Sequence, residues 1–136
     1  MRYALDTNTI IHILRQTPSV LDKFNAAVDR GDEIIIPPIV HYEMLRGFKC
    51  KPAPKKESAY IALIKRFPVG ELTIDVLECG ADIYSELYNA RLTVEDADLL
   101  TAAFCITGRY TIVTNNVKHF NVINNLLFED WTVSNS

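Results

Sequence analysis

No apolar run in this sequence approaches the roughly 20 residues that cross a bilayer. An acid as early as Asp6, in Met1-Arg2-Tyr3-Ala4-Leu5-Asp6, interrupts what would be the apolar region of a secretory leader, so the expectation is a cytoplasmic protein without a membrane partner. Cysteine is scarce. Cys50, Cys79 and Cys105 are an odd set without CxxC spacing, which argues against a disulfide framework or a zinc site and reads as inert thiols in a reducing compartment. His12, His41 and His119 share no ligand spacing and read as surface or packing residues. GxSxG, P-loop and GxGxxG motifs are absent, which leaves acyl transfer and standard nucleotide cradles unsupported. There are no repeats and no low-complexity tract.

What is present fits a globular chain of one domain, residues 1–136, with 49% apolar and 23% charged residues. The net charge of −3 does not suggest a nucleic-acid partner, but its distribution is uneven. From Arg46 to Arg66 there are seven bases (Arg46, Lys49, Lys51, Lys55, Lys56, Lys65, Arg66) against one acid, Glu57. From Glu71 to Asp98 there are eight acids against one base, Arg91. The basic run is either a solvated loop or a polyanion contact.

The pattern along the chain alternates strands and helices. Arg2 to Leu5, Ile34 to Ile36, Val69 to Ile74, Tyr110 to Val113 and a segment within Leu126 to Trp131 read as strands. Helices are expected over Thr9 to Arg15 with Asn8 as cap, around Val20 to Val28 with Gly31 ending it, and from Pro37-Pro38 through Phe48. Lys49 to Pro54 reads as a loop, and Ser58 to Phe67, Asp75 to Arg91 and Thr93 to Thr107 as helices. The acids Asp75, Glu78, Asp82 and Glu86 read as a solvated face of one helix. Such alternation predicts a mostly parallel sheet with helices on both faces. Ligands in such sheets bind beyond the carboxyl ends of the strands.

Three acids stand out against that layout. Asp6 closes the first strand. Glu43 interrupts the apolar stripe of Ile36, Ile39 and Val40. Asp98 lies at the mouth of a helix where Thr93-Val94-Glu95-Asp96 already supplies a capping-box pattern. Plain structural roles exist for each: a cap for Asp6, an ion pair with Arg46 for Glu43, and a favourable helix dipole for Asp98. Acids placed together there are costly unless a cation joins them, and a divalent metal is a natural candidate. Asp96 and Asp98 lie two apart and should point different ways on a helix. Thr114-Asn115-Asn116 closes a later strand at the same edge, as turn residues or as contacts to water or phosphate.

These stretches together resemble the PIN-domain ribonucleases, and within them the VapC-type toxins of bacterial toxin–antitoxin pairs. The resemblance rests on Tyr3 to Asn8, Ile36 to Gly47, Asp96 to Ala103, Ile112 to Phe120 and Glu129-Asp130-Trp131, and it spans nearly the whole chain. It implies a three-layer α/β/α sandwich around a mostly parallel sheet. It also implies a Mg²⁺- or Mn²⁺-dependent endoribonuclease with Asp6, Glu43 and Asp98 as catalytic and metal-binding acids. Asp6 and Asp98 are then the expected direct ligands, and Glu43 holds a metal-bound water or acts as general base. Thr7, Asn8, Arg46, Thr114, Asn115 and Asn116 are expected to contact RNA or orient water. The pattern often carries a fourth acid where this chain has Asn116, which removes one charge available to a second metal. A small antitoxin partner and a homodimer follow from the same resemblance.

Two other readings stand beside it. A haloacid-dehalogenase-like phosphatase also places Asp after strand one, but it needs an acid two residues on, where Asn8 stands. A non-catalytic binding module, receiver-like or PIN-like, is the other. A receiver needs paired acids after strand one and a late Lys, where Thr114-Asn115 stands, and an inactive PIN domain would not need all three acids.

Overall fold

The computed structural model describes residues 1–133. Four short strands form one sheet in the order β2-β1-β3-β4, and every adjacent pair is parallel. They are β1 (Arg2–Leu5), β2 (Glu33–Ile35), β3 (Thr111–Val113) and β4 (Phe128–Glu129). Parallel pairing requires crossovers, and helices supply them. Between β1 and β2 lie α1 (Thr7–Leu14) and α2 (Pro18–Asp29). Between β2 and β3 lie α3 (Pro38–Cys50), α4 (Pro54–Arg66), α5 (Ile74–Asn89) and α6 (Asp96–Gly108). A single turn, α7 (Val117–Phe120), follows β3.

Alternation along the strands divides the interior in two. Tyr3 and Leu5 of β1, Ile34 of β2 and Val113 of β3 pack with Ile10, Val20, Phe24, Val40 and Tyr60 of α1–α4. Ala4 and Ile112 point the other way, into Val76, Ile83, Leu87, Leu99, Ala103 and Phe120 of α5–α7. This is the expected three-layer α/β/α sandwich. No helix among the described residues is long and apolar enough to cross a membrane. Cys105 is buried, Cys79 partly buried and Cys50 exposed, and all three are free thiols.

Several boundaries differ from the sequence expectation. Val69 to Ile74 is not a strand: only Val69 bridges Ile36, and Gly70 N–H donates to Ile36 O at 2.8 Å. The chain then turns away, and the Thr73 hydroxyl caps α5 by accepting from Val76 N–H. Leu72 and Ile74 are exposed, so their apolar character reports no buried strand. The predicted loop over Lys49–Pro54 shrinks, because α3 continues to Cys50 and Pro54 opens α4, where its missing N–H costs nothing. Most of the basic run is therefore carried by two helices. Helix α1 starts at Thr7 with Asp6, not Asn8, as its cap. Helix α6 starts at Asp96 with Glu95 at the cap position, so the Thr93-to-Asp96 pattern is not a capping box.

Candidate functional site at the carboxyl edge of the sheet

Asp6 follows β1 directly and is only 5% exposed. Its two oxygens are both engaged. Thr7 N–H donates to Oδ1 at 2.9 Å, capping α1, and the Thr114 hydroxyl donates to Oδ2 at 2.7 Å. Thr114 is itself completely buried at the end of β3, which pairs with β1. Burial pushes the Asp6 carboxyl above its ordinary range. The two hydrogen bonds oppose that shift, and the nearby Asp98 charge adds to it.

Glu43 comes from the second turn of α3, with its side chain 25% exposed. The Thr7 hydroxyl donates to Glu43 Oε1 at 3.1 Å. Thr7 thus ties Asp6 to Glu43, one by its backbone and the other by its side chain. Arg46 Nη2 lies 3.6 Å from Glu43 Oε2, the expected i,i+3 pair, and its guanidinium also sits over the Tyr42 ring. Asp98 lies in the first turn of α6, and its side chain is 24% exposed. Burial raises its pKa first of all; His119 opposes the shift, while Glu43 and Glu95 add to it. Asp96 is exposed, consistent with its different facing.

The three acids come from three elements, and their mutual repulsion is visible along the row: Asp98 raises Asp6, and Glu43 raises Asp98. The remaining candidates divide. Asn8 Oδ1 accepts a long hydrogen bond of 3.4 Å from Asn115 N–H, stitching the ends of β1 and β3. Asn116 N–H donates to Thr114 Oγ1 at 3.0 Å, while both Asn115 and Asn116 are exposed. His119, which sequence reasoning left among ordinary histidines, has its Nδ1 3.1 Å from Asp98 Oδ2. Its only sequence signal is position, five residues beyond Thr114, and no spacing rule reaches across to α6.

Two clefts open beside the acids. One of about 470 Å³ borders Thr7 and Glu43, with Phe48 and Met44 among its apolar walls and Arg15, Lys51 and Lys56 as its cations. The other, of about 210 Å³, borders Asp98, Lys118 and His119.

Among the described residues, no three His, Cys, Asp or Glu side chains stand close enough together to form a metal cage. Oxygen donors suit hard ions such as Mg²⁺ or Mn²⁺, which keep several waters and are held by one or two carboxylates plus substrate oxygens. The donor chemistry here is all oxygen, and a pair of carboxylates, one of them buried at net electrostatic cost, fits such an ion.

Comparison with known proteins agrees with this architecture. The PIN domain profile matches residues 3–125. Ribonuclease VapC2 of Rickettsia felis is 28% identical over 132 residues, covering 96% of this chain and 98% of the relative. The tRNA(fMet)-specific endonuclease VapC of Salmonella typhimurium is 26% identical over 133 residues, covering 96% and 98%. The crystal structure of VapBC2 from Rickettsia felis, bound to a DNA fragment from their promoter, contains a chain that superimposes with a TM-score of 0.87. It is 27% identical, with 96% of this chain and 99% of that one covered. With a buried Asp closing β1, an acid inside α3 and another in the first turn of α6, this chain belongs to the PIN-domain family.

Proposed function

We propose that the chain is a VapC-type endoribonuclease, the toxin of a toxin–antitoxin pair, which hydrolyses RNA phosphodiester bonds at the sheet edge that carries Asp6, Glu43 and Asp98. The observation that carries this reading is the hydrogen-bonded linkage of two of these acids through Thr7, with the third within their electrostatic reach, at the edge where parallel sheets bind ligands. Relatives that span the same length are named ribonucleases, and one is named for a tRNA target, which supports RNA as the substrate class. Residues 1–136 act as one catalytic domain in the cytoplasm.

Asp6 and Asp98 would hold Mg²⁺ or Mn²⁺, which when bound would supply acidity to a water and offset charge building on the phosphate. Glu43 accepts the proton of the attacking water, because its carboxylate opens onto the larger cleft. As the water oxygen bonds to phosphorus, the P–O bond to one ribose breaks, and the departing oxygen is protonated from solvent. Thr114 and Thr7 keep the carboxylates oriented. Asn8, Asn115 and Asn116 line the exit of the strands and orient water or phosphate oxygens. Arg46, Lys51 and Lys56 attract the RNA backbone towards the larger cleft.

A ribonuclease working on its host's RNA needs restraint. The similarity to a VapBC2 complex supports a cognate antitoxin. A basic antitoxin side chain set among the acids would compete with the metal for the same field. Toxin homodimers bridged by antitoxin are the assembly this reading expects. Expression of the chain alone should arrest growth, and co-expression of the neighbouring small open reading frame should relieve it. The purified protein should cut RNA, stop in EDTA, and recover with Mg²⁺ or Mn²⁺. A soluble, folded chain that is harmless alone and cuts no RNA with either ion would be a binding module instead.

A further inference from the structure

The segment from Thr114 to Phe120 touches two of the three acids. At one end, the Thr114 hydroxyl donates to Asp6 Oδ2 at 2.7 Å. At the other, His119 Nδ1 lies 3.1 Å from Asp98 Oδ2. The link between these ends is short and internally bonded. Asn116 N–H donates to Thr114 Oγ1 at 3.0 Å, and His119 N–H donates to Asn116 O at 2.9 Å. Phe120, next to His119, is fully buried in the α5–α7 core and pins the turn. This one short segment therefore relates Asp6, at the end of β1, to Asp98 on α6.

The direction of the His119 hydrogen bond follows from valence. An ionised carboxylate only accepts, so the hydrogen sits on Nδ1 and Nε2 is left outward. Read as an ordinary exposed pair, the interaction would contribute little to stability. Asp98 gains no fold-level need from it, since a carboxylate in the first turn of α6 is already favoured by the helix dipole. What the hydrogen bond does supply is orientation. A carboxylate free to rotate about two bonds presents a cation with a spread of positions; one anchored through Oδ2 presents few.

We propose that His119 is a positioning residue for the metal site, holding the Asp98 carboxylate through Oδ2 while the same segment holds Asp6 through Thr114. The proposal rests on the reading of Asp6 and Asp98 as metal ligands and adds a partner to it. Residues that orient a metal ligand are worth about 10- to 100-fold in metal affinity.

The test is Mn²⁺ binding to the full chain, followed by electron paramagnetic resonance of the free ion, with no RNA present. His119→Ala should weaken Mn²⁺ binding about 10- to 100-fold. His119→Asn, whose amide N–H can take the place of Nδ1–H, should recover most of that loss. In an Asp98→Asn background, His119→Ala should cost nothing further, because the carboxylate it orients is no longer there to hold the ion. In cleavage assays at fixed Mn²⁺ the Ala variant should lose kcat with KM for RNA unchanged. Circular dichroism and melting should match wild type, since His119 is exposed and Phe120 is retained. Wild-type Mn²⁺ affinity in His119→Ala, or an equal loss in the Asp98→Asn background, would overturn the positioning role while leaving the metal pair intact. A wild-type chain that binds no Mn²⁺ would overturn the metal pair and this role together.

Discussion

Asp6 and Asp98 lie within electrostatic reach of each other but are held in opposite ways. Asp6 is enclosed by the sheet. Both its oxygens accept hydrogen bonds, one from the backbone it caps and one from a buried hydroxyl. Asp98 stands on the first turn of a helix, a quarter exposed, with one partner that is itself open to solvent. The sheet side is thus rigid and fixed by covalent neighbours and β-pairing. The helix side is held by a single exposed contact, His119 on Asp98 Oδ2. The enclosed acid fixes where an ion would sit, and the second depends on that one contact to meet it there.

The contrast is broken most severely by removing charge. Asp6→Asn keeps the cap and a polar partner for Thr114, and Asp98→Asn keeps the shape of the helix mouth. Each should nevertheless lower RNA cleavage by about 10³-fold or more, the rate equivalent of about 4 kcal/mol of lost transition-state stabilisation. Full cleavage by either purified variant at saturating Mg²⁺ would remove that acid from the site. Asp6→Ala adds a structural loss that Asp6→Asn avoids, about 1 kcal/mol for the missing cap. Urea unfolding of the two variants separates the roles.

The same pair should leave a mark on stability. Both carboxyls have folded-state pKa values raised above the ordinary value, chiefly by burial. Between the ordinary value and the raised one, the native state binds more protons than the unfolded chain, so stability falls as pH rises through that window. Above the raised value the full penalty is present in the metal-free protein. In EDTA at pH 7, Asp6→Asn should therefore melt above wild type, and the gap should close as pH falls towards the ordinary carboxylate range. Mg²⁺ should reverse the order, since an ion at 100 times its Kd adds about 2.7 kcal/mol to the wild type and little to the variant. A gap in EDTA that does not narrow as pH falls, or no gap at pH 7, would mean that Asp6 carries no burial penalty.

The difference between the two acids also marks what the sequence could convey. β2 and β3 were legible from short β-branched runs, β1 from a short apolar run stopped by Asp6, and parallel order followed from the helices between them. Asp6, Glu43 and Asp98 were legible as acids where plain acids do not belong. The cap was not: Asn8 and Asp6 are both good cap residues, and the choice depends on where β1 stops pairing with β3. Val69 to Ile74 misled because its composition suits a strand, yet beyond Val69 no neighbour offers a ladder. Thr93 to Asp96 has capping-box spacing, but the chain enters α6 only at the end of that pattern. His119 could not be found at all, since its partner lies 21 residues away on another helix.

The smallest effect concerns the approach of RNA to both acids alike. The basic run lies on α3, α4 and the short link between them, and Lys51 and Lys56 reach the larger cleft beside Glu43. Lys49 and Lys55 are exposed nearby. If these four lysines meet phosphates, each lysine–phosphate pairing removed by a Gln substitution should flatten the log–log salt dependence of binding by about 0.7 on single-stranded RNA. The expected outcome for Lys51→Gln with Lys56→Gln is a measurable drop in slope, with cleavage at saturating RNA unchanged, because neither side chain touches the acids. Lys49→Gln with Lys55→Gln should give a smaller drop, as those side chains lie outside the cleft. Fluorescence anisotropy at several salt concentrations, using an Asp98→Asn background to prevent cleavage, reads the slopes directly. Equal slopes for all three proteins would return the lysines to a solvated surface and leave RNA affinity to other contacts.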